Sequence, residues 1–169
     1  MVDAGSTPEW WDSAKQAISA SDTLLYDVIE EFEEPSLRSR GDLFATLIKS
    51  IVGQQISVVA ASAIWSRFED FVGEVTPESI LAKPPQEIKE VGLSNRKVEY
   101  IAGISQTWID GFGKIDWDIM SDEEVIDELV KLRGVGRWTV QMLLIFALLR
   151  PDVFPIDDIG LIRGMEKLY

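Results

Sequence analysis

The 169-residue sequence contains no cysteine and no histidine. The absence of cysteine excludes disulfides, thiolate zinc sites, a cysteine nucleophile and a cysteine-held iron–sulfur cluster. The absence of histidine excludes Ser-His-Asp catalysis, histidine-bound metals and an imidazole general base. Any chemistry must therefore use carboxylates, amines, hydroxyls, aromatic rings and backbone dipoles.

The sequence also lacks a long apolar segment and a targeting signal. Its longest purely apolar run, Met142 to Leu149, has eight residues, whereas a bilayer-spanning helix needs about 20. The first twenty residues lack the basic and apolar regions of a secretory signal. We therefore expect a cytoplasmic protein that is neither secreted nor bound to a membrane.

Positive charge is scarce, with 16 Lys and Arg against 29 Asp and Glu. A net charge of −13 argues against a nucleic-acid partner, because basic patches supply most of that affinity. The average hides an asymmetry: residues 129–169 carry a net charge of +2, which leaves −15 for residues 1–128. Two interpretations stay open, a solubilising acidic shell or a protein that touches a polyanion through one small surface.

Apolar residues recur with a period near 3.6 along almost the whole chain, which predicts an all-α fold of about ten short helices. A first helix is expected to open at Thr7-Pro8 and a second at Ser21, with a polar connector over 33–41. Ser57, Ser94 and the Ser121/Glu124 pair are typical helix caps. Further helices are predicted over 43–51, 58–71, 95–109, 121–130 and 137–149, after 76 and 84, and from about 158.

The segment Leu132 to Arg137 lies between two predicted helices and contains two glycines, Gly134 and Gly136. Such a hairpin can direct successive backbone N–H groups outward and bind an anion at a helix N-terminus. Three flanking basic residues favour a phosphate as that anion: Lys131, Arg133 and Arg137. The alternative is an ordinary turn between two helices.

A second motif, Phe154 to Gly160, places Asp157 and Asp158 in front of an apolar helical pattern. Adjacent acids in this position commonly serve as an N-cap and a first-turn acid, which the helix dipole favours. The functional alternative is a carboxylate that the dipole keeps ionised and that faces the ligand of the glycine hairpin.

Together with the segment 51–57, IVGQQIS, these two motifs resemble the helix-hairpin-helix DNA glycosylases, in the branch of 3-methyladenine DNA glycosylase II. The resemblance covers about residues 42 to 164. It implies a two-lobed all-α fold with a central six-helix bundle over 41–150, ending in the helix-hairpin-helix at about 125–149. Residues 1–40 would be N-terminal helices of the other lobe. Residues 151–169 would be the catalytic-acid loop and the first helix of a C-terminal lobe, which we expect to be short and incomplete.

The resemblance also implies roles for individual residues in the reaction. Asp158 would be the catalytic carboxylate and Asp157 a neighbouring cap. Trp138 and Met142 would line the base pocket. Relatives that also cleave the strand carry lysine at the position of Trp138, and only an amine forms the required Schiff base. The sequence therefore predicts a monofunctional glycosylase, with a core position as the alternative for Trp138.

For DNA binding, the resemblance implies backbone contacts from the hairpin and a side chain from the 51–57 segment that is inserted into the duplex. The predicted DNA-binding residues are Gln54, Gln55, Ser57, Arg133, Gly134, Val135, Gly136 and Arg137. The carbonyls of Val130, Leu132 and Val135 would match the family's site for Na⁺ or K⁺. No other cofactor is expected.

The implied function is release of alkylated purines, of the 3-methyladenine and 7-methylguanine type, from double-stranded DNA after base flipping. A cationic base leaves without a proton, so no general acid is needed, and a fixed carboxylate stabilises the positive charge that develops on the sugar. We expect a monomer whose partner is alkylated duplex DNA. The alternatives are a non-catalytic DNA-binding module, which would not need Asp158, and an acidic helical interaction protein.

Overall fold

The computed structural model describes residues 4–32 and 36–169, and within these it contains ten α-helices and a short 3-10 helix but no strand. The all-α prediction is confirmed. Part of the predicted connector, residues 33–35, lies outside the described residues. The helices are α1 (Trp11–Ser21), α2 (Thr23–Glu31), α3 (Leu43–Gly53), α4 (Val58–Val72), α5 (Pro77–Leu81), α6 (Pro85–Glu90), α7 (Asn95–Asp110), α8 (Asp122–Leu129), α9 (Arg137–Phe146) and α10 (Ile159–Leu168), with the 3-10 helix at Phe112–Lys114.

Helices whose first turn is closed by a hydroxyl cap begin where the sequence predicts. The side chains of Ser57 and Ser94 accept from backbone amides three residues ahead, which opens α4 and α7. Ser121 and Glu124 form a reciprocal capping box at the start of α8. These caps are local interactions, so the sequence alone is enough to place them.

Two predicted helix starts near the N-terminus are wrong. The first helix begins at Trp11 and not at Thr7-Pro8, because the preceding backbone is paired elsewhere: Gly5 N donates to Ser39 O and Ser39 N donates to Ser6 O. The second helix is capped by Asp22 and not by Ser21. One carboxylate oxygen of Asp22 accepts from two successive backbone amides, at 2.9 and 3.1 Å.

The helix α9 ends three residues earlier than predicted, at Phe146. The next residues form a tight turn in which the amides of Ala147 and Leu148 both donate to Leu143 O. Leu149 then has a positive φ of 51°, which a helix cannot accommodate. This turn redirects the chain toward the loop that carries Asp158.

The hydrophobic core lies among α3, α4, α7, α8 and α9, with α3 at its centre. Its fully buried side chains include Phe44, Leu47, Ile48, Ile51, Phe68, Ile101, Ile104, Leu129, Leu143 and Leu144. Each such side chain contributes roughly 1.5–3 kcal/mol through its burial. By contrast, α1, α2 and α10 contain no buried residue. The predicted division into lobes at residues 40 and 150 stays a prediction.

Polar contacts join the peripheral segments to the end of α9 and to each other. Trp10 Nε1, just before α1, donates to Leu149 O at 3.0 Å, and Arg40 N donates to Phe146 O at 2.7 Å. The hydroxyl of Tyr169 contacts the Asp22 carboxylate, which connects the end of α10 to the start of α2. Among the described residues, no helix combines the length and apolar character required to cross a bilayer.

Candidate active site

Trp138 and Asp158 meet at the N-terminal ends of two helices. The indole Nε1 of Trp138, in the first turn of α9, donates to Oδ2 of Asp158 at 2.8 Å. The other carboxylate oxygen, Oδ1, accepts from Leu161 N at 2.8 Å and so caps α10. Both oxygens therefore have a fixed partner. Trp138 is 44 % exposed, so the alternative that it is a core aromatic is wrong.

The hydrogen bonds to Asp158 lower the pKa of its carboxyl group below its ordinary value. The largest contribution comes from the backbone amide of Leu161, followed by the Trp138 indole, and the two outweigh the opposing effect of burial. Asp158 is therefore ionised at neutral pH.

The two acids of the motif do not divide their roles as the sequence suggests. Asp158 is itself the N-cap of α10, whereas Asp157 is exposed and was expected to be the cap. Asp158 can therefore cap the helix and also act as the catalytic carboxylate, so the two interpretations do not exclude each other. Gly160 leaves room for this arrangement, since a Cβ there would lie 3.0 Å from Asp158 Oδ1.

The surroundings of the carboxylate are apolar and open. Phe154, Ile156 and Ile159 are exposed on the loop and helix start that carry Asp158. Met142, one turn after Trp138 on α9, is half-buried. The predicted pocket residues thus lie on one face of α9, and Trp138 contacts the ionised carboxylate.

The glycine hairpin is a tight turn in which Val135 N donates to Leu132 O at 3.1 Å. Gly134 has a φ of +89°, and a Cβ there would lie 2.2 Å from the ring of Tyr100, so only glycine fits. Gly136 differs. Its φ is −103° and no atom lies within 4 Å of a Cβ built on it, so the turn itself does not require glycine at this position.

Beyond the turn, the amides of Gly136, Arg137 and Trp138 make no hydrogen bond within the part of the chain that the structure describes. They belong to the first turn of α9, where unpaired N–H groups and the helix dipole favour an anion. The open space at Gly136 leaves these donors accessible. The hairpin and the start of α9 therefore provide free backbone donors from Gly136 to Trp138.

The basic residues around the hairpin are less available than their number suggests. Arg137 makes a bidentate pair with Glu123, with Nη1–Oε2 at 3.1 Å and Nη2–Oε1 at 2.5 Å, and this partner raises the pKa of its guanidinium. Lys131 pairs with Glu128 at 2.6 Å. Arg133, with its guanidinium 5.8 Å from the ring centroid of Tyr100, forms no ion pair with any described residue.

The turn between α3 and α4 adjoins the hairpin. Gln54 Nε2 donates to Gly134 O at 2.9 Å, so this side chain is engaged within the protein. Gln55 is exposed and has a positive φ of 60°. Ser57 caps α4. Of the two glutamines, Gln55 is the one that projects freely.

The predicted cation ligands were the carbonyls of Val130, Leu132 and Val135. Within the described residues, Val130 O and Val135 O accept no hydrogen bond, whereas Leu132 O accepts from Val135 N. Carbonyl oxygens are hard, neutral ligands of the kind that Na⁺ and K⁺ prefer. The donor set therefore fits a monovalent cation.

Three residues near the site were not predicted as part of it. Lys97 Nζ donates to two carbonyls at the end of α3, Tyr100 packs on Gly134, and Glu123 pairs with Arg137. Each partner lies outside the helix that carries the residue, 14 to 45 residues away along the chain. No local pattern in the sequence reveals such contacts.

Comparisons with known proteins show which sequences and structures this chain resembles. A family model described as "HhH-GPD superfamily base excision DNA repair protein" matches residues 48–169. The chain is 36 % identical, over 131 residues, to DNA-3-methyladenine glycosylase 1 of Schizosaccharomyces pombe, covering 75 % of this chain and 58 % of that protein. It is 31 % identical, over 158 residues, to a putative DNA-3-methyladenine glycosylase of Bacillus subtilis, covering 88 % and 55 %.

Among solved structures, the 3-methyladenine DNA glycosylase of S. pombe in complex with abasic DNA superimposes with a TM-score of 0.81 at 31 % identity. The match covers 92 % of this chain and 80 % of that one. The chain spans a little over half the length of the two sequence relatives described above.

Proposed function

Because this chain belongs to the HhH-GPD superfamily of base excision DNA repair proteins, we propose that it is a DNA glycosylase that releases alkylated purines from double-stranded DNA. The observation that carries the proposal is the hydrogen bond between Trp138 and Asp158. It fixes an ionised carboxylate against the first turn of α9, next to the hairpin whose free amides can bind phosphate.

The reaction breaks the bond between C1′ of the sugar and the ring nitrogen of the base. In N3- or N7-alkylated purines the base is cationic, so it takes the bonding electron pair and leaves neutral, without a proton donor. Positive charge develops on the sugar, and the Asp158 carboxylate stabilises it. Water adds to C1′ and loses its proton to solvent. These steps need no histidine or cysteine.

The backbone amides of the hairpin hold a phosphate next to the damaged nucleotide, which reads no sequence. Base flipping costs a few kcal/mol, less for a damaged pair, and Gln55 is placed to fill the gap left in the duplex. A Na⁺ or K⁺ ion held by Val130, Leu132 and Val135 would add positive charge beside that phosphate. DNA containing alkylated bases is thus the proposed partner, bound by a monomer.

Trp138 has two parts to play in this proposal. Its N–H orients Asp158, and its exposed ring can stack on a cationic base, with a cation–π attraction of about 0.5–2 kcal/mol. An indole has no amine to form a Schiff base with the sugar. We therefore propose a monofunctional enzyme that leaves an abasic site and does not cut the strand.

A non-catalytic DNA-binding module is disfavoured by the same carboxylate. Such a module needs the hairpin but uses the acid only as a helix cap, and a negative charge near DNA repels phosphate. Asp158 lies where that repulsion would be felt and is kept ionised by its hydrogen bonds. Capping of α10 uses only Oδ1, whereas the Trp138 indole holds Oδ2, and this second contact favours a charge that acts on a positive transition state.

The test is release of free methylated base from alkylated duplex DNA, measured by chromatography for the wild type, Asp158→Asn and Asp157→Asn. Asn keeps the shape and one acceptor but removes the charge. We expect Asp158→Asn to bind DNA and release no base above background, and Asp157→Asn to retain most activity. Equal activity of all three proteins would contradict the glycosylase proposal, and the reverse order would place the catalytic acid at residue 157.

A further inference from the structure

Lys97 contacts the end of helix α3 from a neighbouring helix. Its Nζ donates to Val52 O and to Gln54 O, both at 2.7 Å. These carbonyls belong to the last turn of α3 and its C-cap, directly before Gln55. One ammonium group thus binds the backbone immediately before the turn that projects toward DNA in the proposed function.

The location of Lys97 is unfavourable on its own helix. It lies in the first turn of α7, where the positive end of the helix dipole disfavours a cation. It is half-buried, and desolvation lowers the pKa of its ammonium group. Within the described residues no carboxylate pairs with it. The compensating charge comes from the negative end of the α3 dipole, to which it donates.

The turn that follows is strained. Gln55 has a φ of +60°, a left-handed conformation that costs a residue with a side chain about 1–2 kcal/mol. Strain of this kind persists only where the surroundings fix the backbone. Two hydrogen bonds fix the chain at Gln54. Lys97 Nζ donates to the Gln54 carbonyl, and the Gln54 side chain donates to Gly134 O.

The same face of α7 also supports the hairpin. Tyr100 lies three residues after Lys97, so the two side chains project from neighbouring positions. The Tyr100 ring packs on Gly134 so closely that no Cβ fits there. One turn of α7 therefore contacts both segments that the proposed function brings to DNA, the 53–57 turn through Lys97 and the hairpin through Tyr100.

We infer that Lys97 is a positioning residue for DNA distortion: its ammonium group holds the strained turn at Gln55 in the conformation that enters the duplex. The inference rests on the proposed function and deepens it. Lys97 does not touch the reacting atoms. It acts through the backbone of the turn, so its loss should impair base flipping much more than binding to DNA that is already distorted.

The test compares Lys97→Met with Lys114→Met, which removes an exposed lysine elsewhere. Four quantities are measured: the melting temperature, the Kd for a duplex with an abasic analogue, the rate of single-turnover base release, and the fluorescence of 2-aminopurine next to the analogue. That fluorescence rises when the base unstacks. We expect Lys97→Met to remain folded, to bind within about threefold of the wild type and to lose most of the fluorescence rise. Single-turnover base release should fall at least tenfold. Lys114→Met should match the wild type in all of these.

A wild-type fluorescence rise in folded Lys97→Met would overturn the inference. If that variant does not fold, Lys97→Gln, which keeps an N–H donor without the charge, undergoes the same measurements. Failure of both variants to fold would also contradict the inference, because it would assign Lys97 to the fold and not to the turn. Failure of the proposed function has a different signature: the wild type itself would release no base and produce no fluorescence rise.

Discussion

Trp138 and Asp158 are twenty residues apart and are joined by a hydrogen bond of 2.8 Å from indole Nε1 to carboxylate Oδ2. This contact links the first turn of α9 to the N-cap of α10, and with it the hairpin proposed to bind phosphate to the proposed catalytic acid. Phenylalanine has no N–H and could not make this hydrogen bond, although its ring could also stack on a base.

Trp138→Phe should therefore distinguish the role of Trp138 in orienting Asp158 from its role in stacking on the base. The variant keeps an aromatic face but removes one of the hydrogen bonds that lower the Asp158 pKa. Activity needs the ionised carboxylate, so in the wild type kcat/KM should stay level as pH falls and decline only below about 4, since the pKa lies below its usual value of about 3.9. In Trp138→Phe this decline should begin at higher pH, and kcat at neutral pH should drop roughly tenfold.

The measurement is base release between pH 3.5 and 7.5, corrected for spontaneous depurination of the same DNA without enzyme. Trp11→Phe is a suitable control, because Trp11 lies on α1 and is not a hydrogen-bond partner of Asp158. If kcat/KM declines at the same pH in the wild type and in Trp138→Phe, the indole N–H does not act on the carboxylate.

Strand cleavage should require added alkali. No amine lies at position 138, so the enzyme should stop at the abasic site, and borohydride should trap no covalent complex with DNA. The measurement is gel electrophoresis of labelled duplex with and without alkali, together with a borohydride trapping assay. A trapped complex with the wild type would contradict the monofunctional assignment, and its loss in Lys131→Met or Lys167→Met would then identify the amine.

The two hairpin glycines should fail in different ways. Gly134→Ala places a Cβ against the Tyr100 ring in a left-handed backbone, so it should destabilise the fold by about 1–2 kcal/mol or more. Gly136→Val has room within the protein, so its melting temperature should stay near that of the wild type. Its side chain would occupy the space in front of the free amides, and affinity for an abasic-analogue duplex should fall roughly tenfold.

Thermal melts and fluorescence anisotropy distinguish these outcomes. Gly111→Val serves as the control, since it also has open space around its Cβ and an extended φ, but it lies far along the chain at the end of α7. Wild-type affinity of Gly136→Val would mean that the hairpin is only a turn between helices.

The sequence predicts those parts of this molecule that depend on neighbouring residues. Ser57, Ser94 and Ser121 cap their helices within three residues, so their helices begin as expected. The start of α1 depends on pairing with Ser39, which is distant in sequence, and was therefore missed.

The same distinction holds at the candidate site. The order of the glycine hairpin and Asp158 is visible in the sequence, because it follows from motif spacing. The exposed position of Trp138, the freedom of Gly136 from the turn and the occupation of Arg137 by Glu123 depend on packing between helices. Apolar periodicity and motif spacing in the sequence do not predict these contacts between helices.

The Arg137–Glu123 pair leads to a prediction about salt dependence. Both side chains are exposed, so the pair contributes little to stability, but it occupies the guanidinium nearest to the free amides of α9. Glu123→Gln should leave the melting temperature nearly unchanged and free Arg137 to neutralise a phosphate. Affinity for duplex DNA should then rise at low salt, and the slope of log K against log salt should become steeper by about 0.9, the value for one additional phosphate contact.

Asp127→Asn is the matched control for this prediction, because it removes one negative charge from the exposed face of the same helix without breaking a hydrogen bond to Arg137. A general reduction in repulsion would raise affinity equally in both variants and leave their slopes alike, since screened long-range charge forms no specific phosphate contact. A steeper slope in Glu123→Gln alone would therefore assign the effect to the released guanidinium. Identical slopes in both variants and the wild type would mean that Arg137 makes no phosphate contact even when free, and the affinity would then come from the hairpin amides and Arg133.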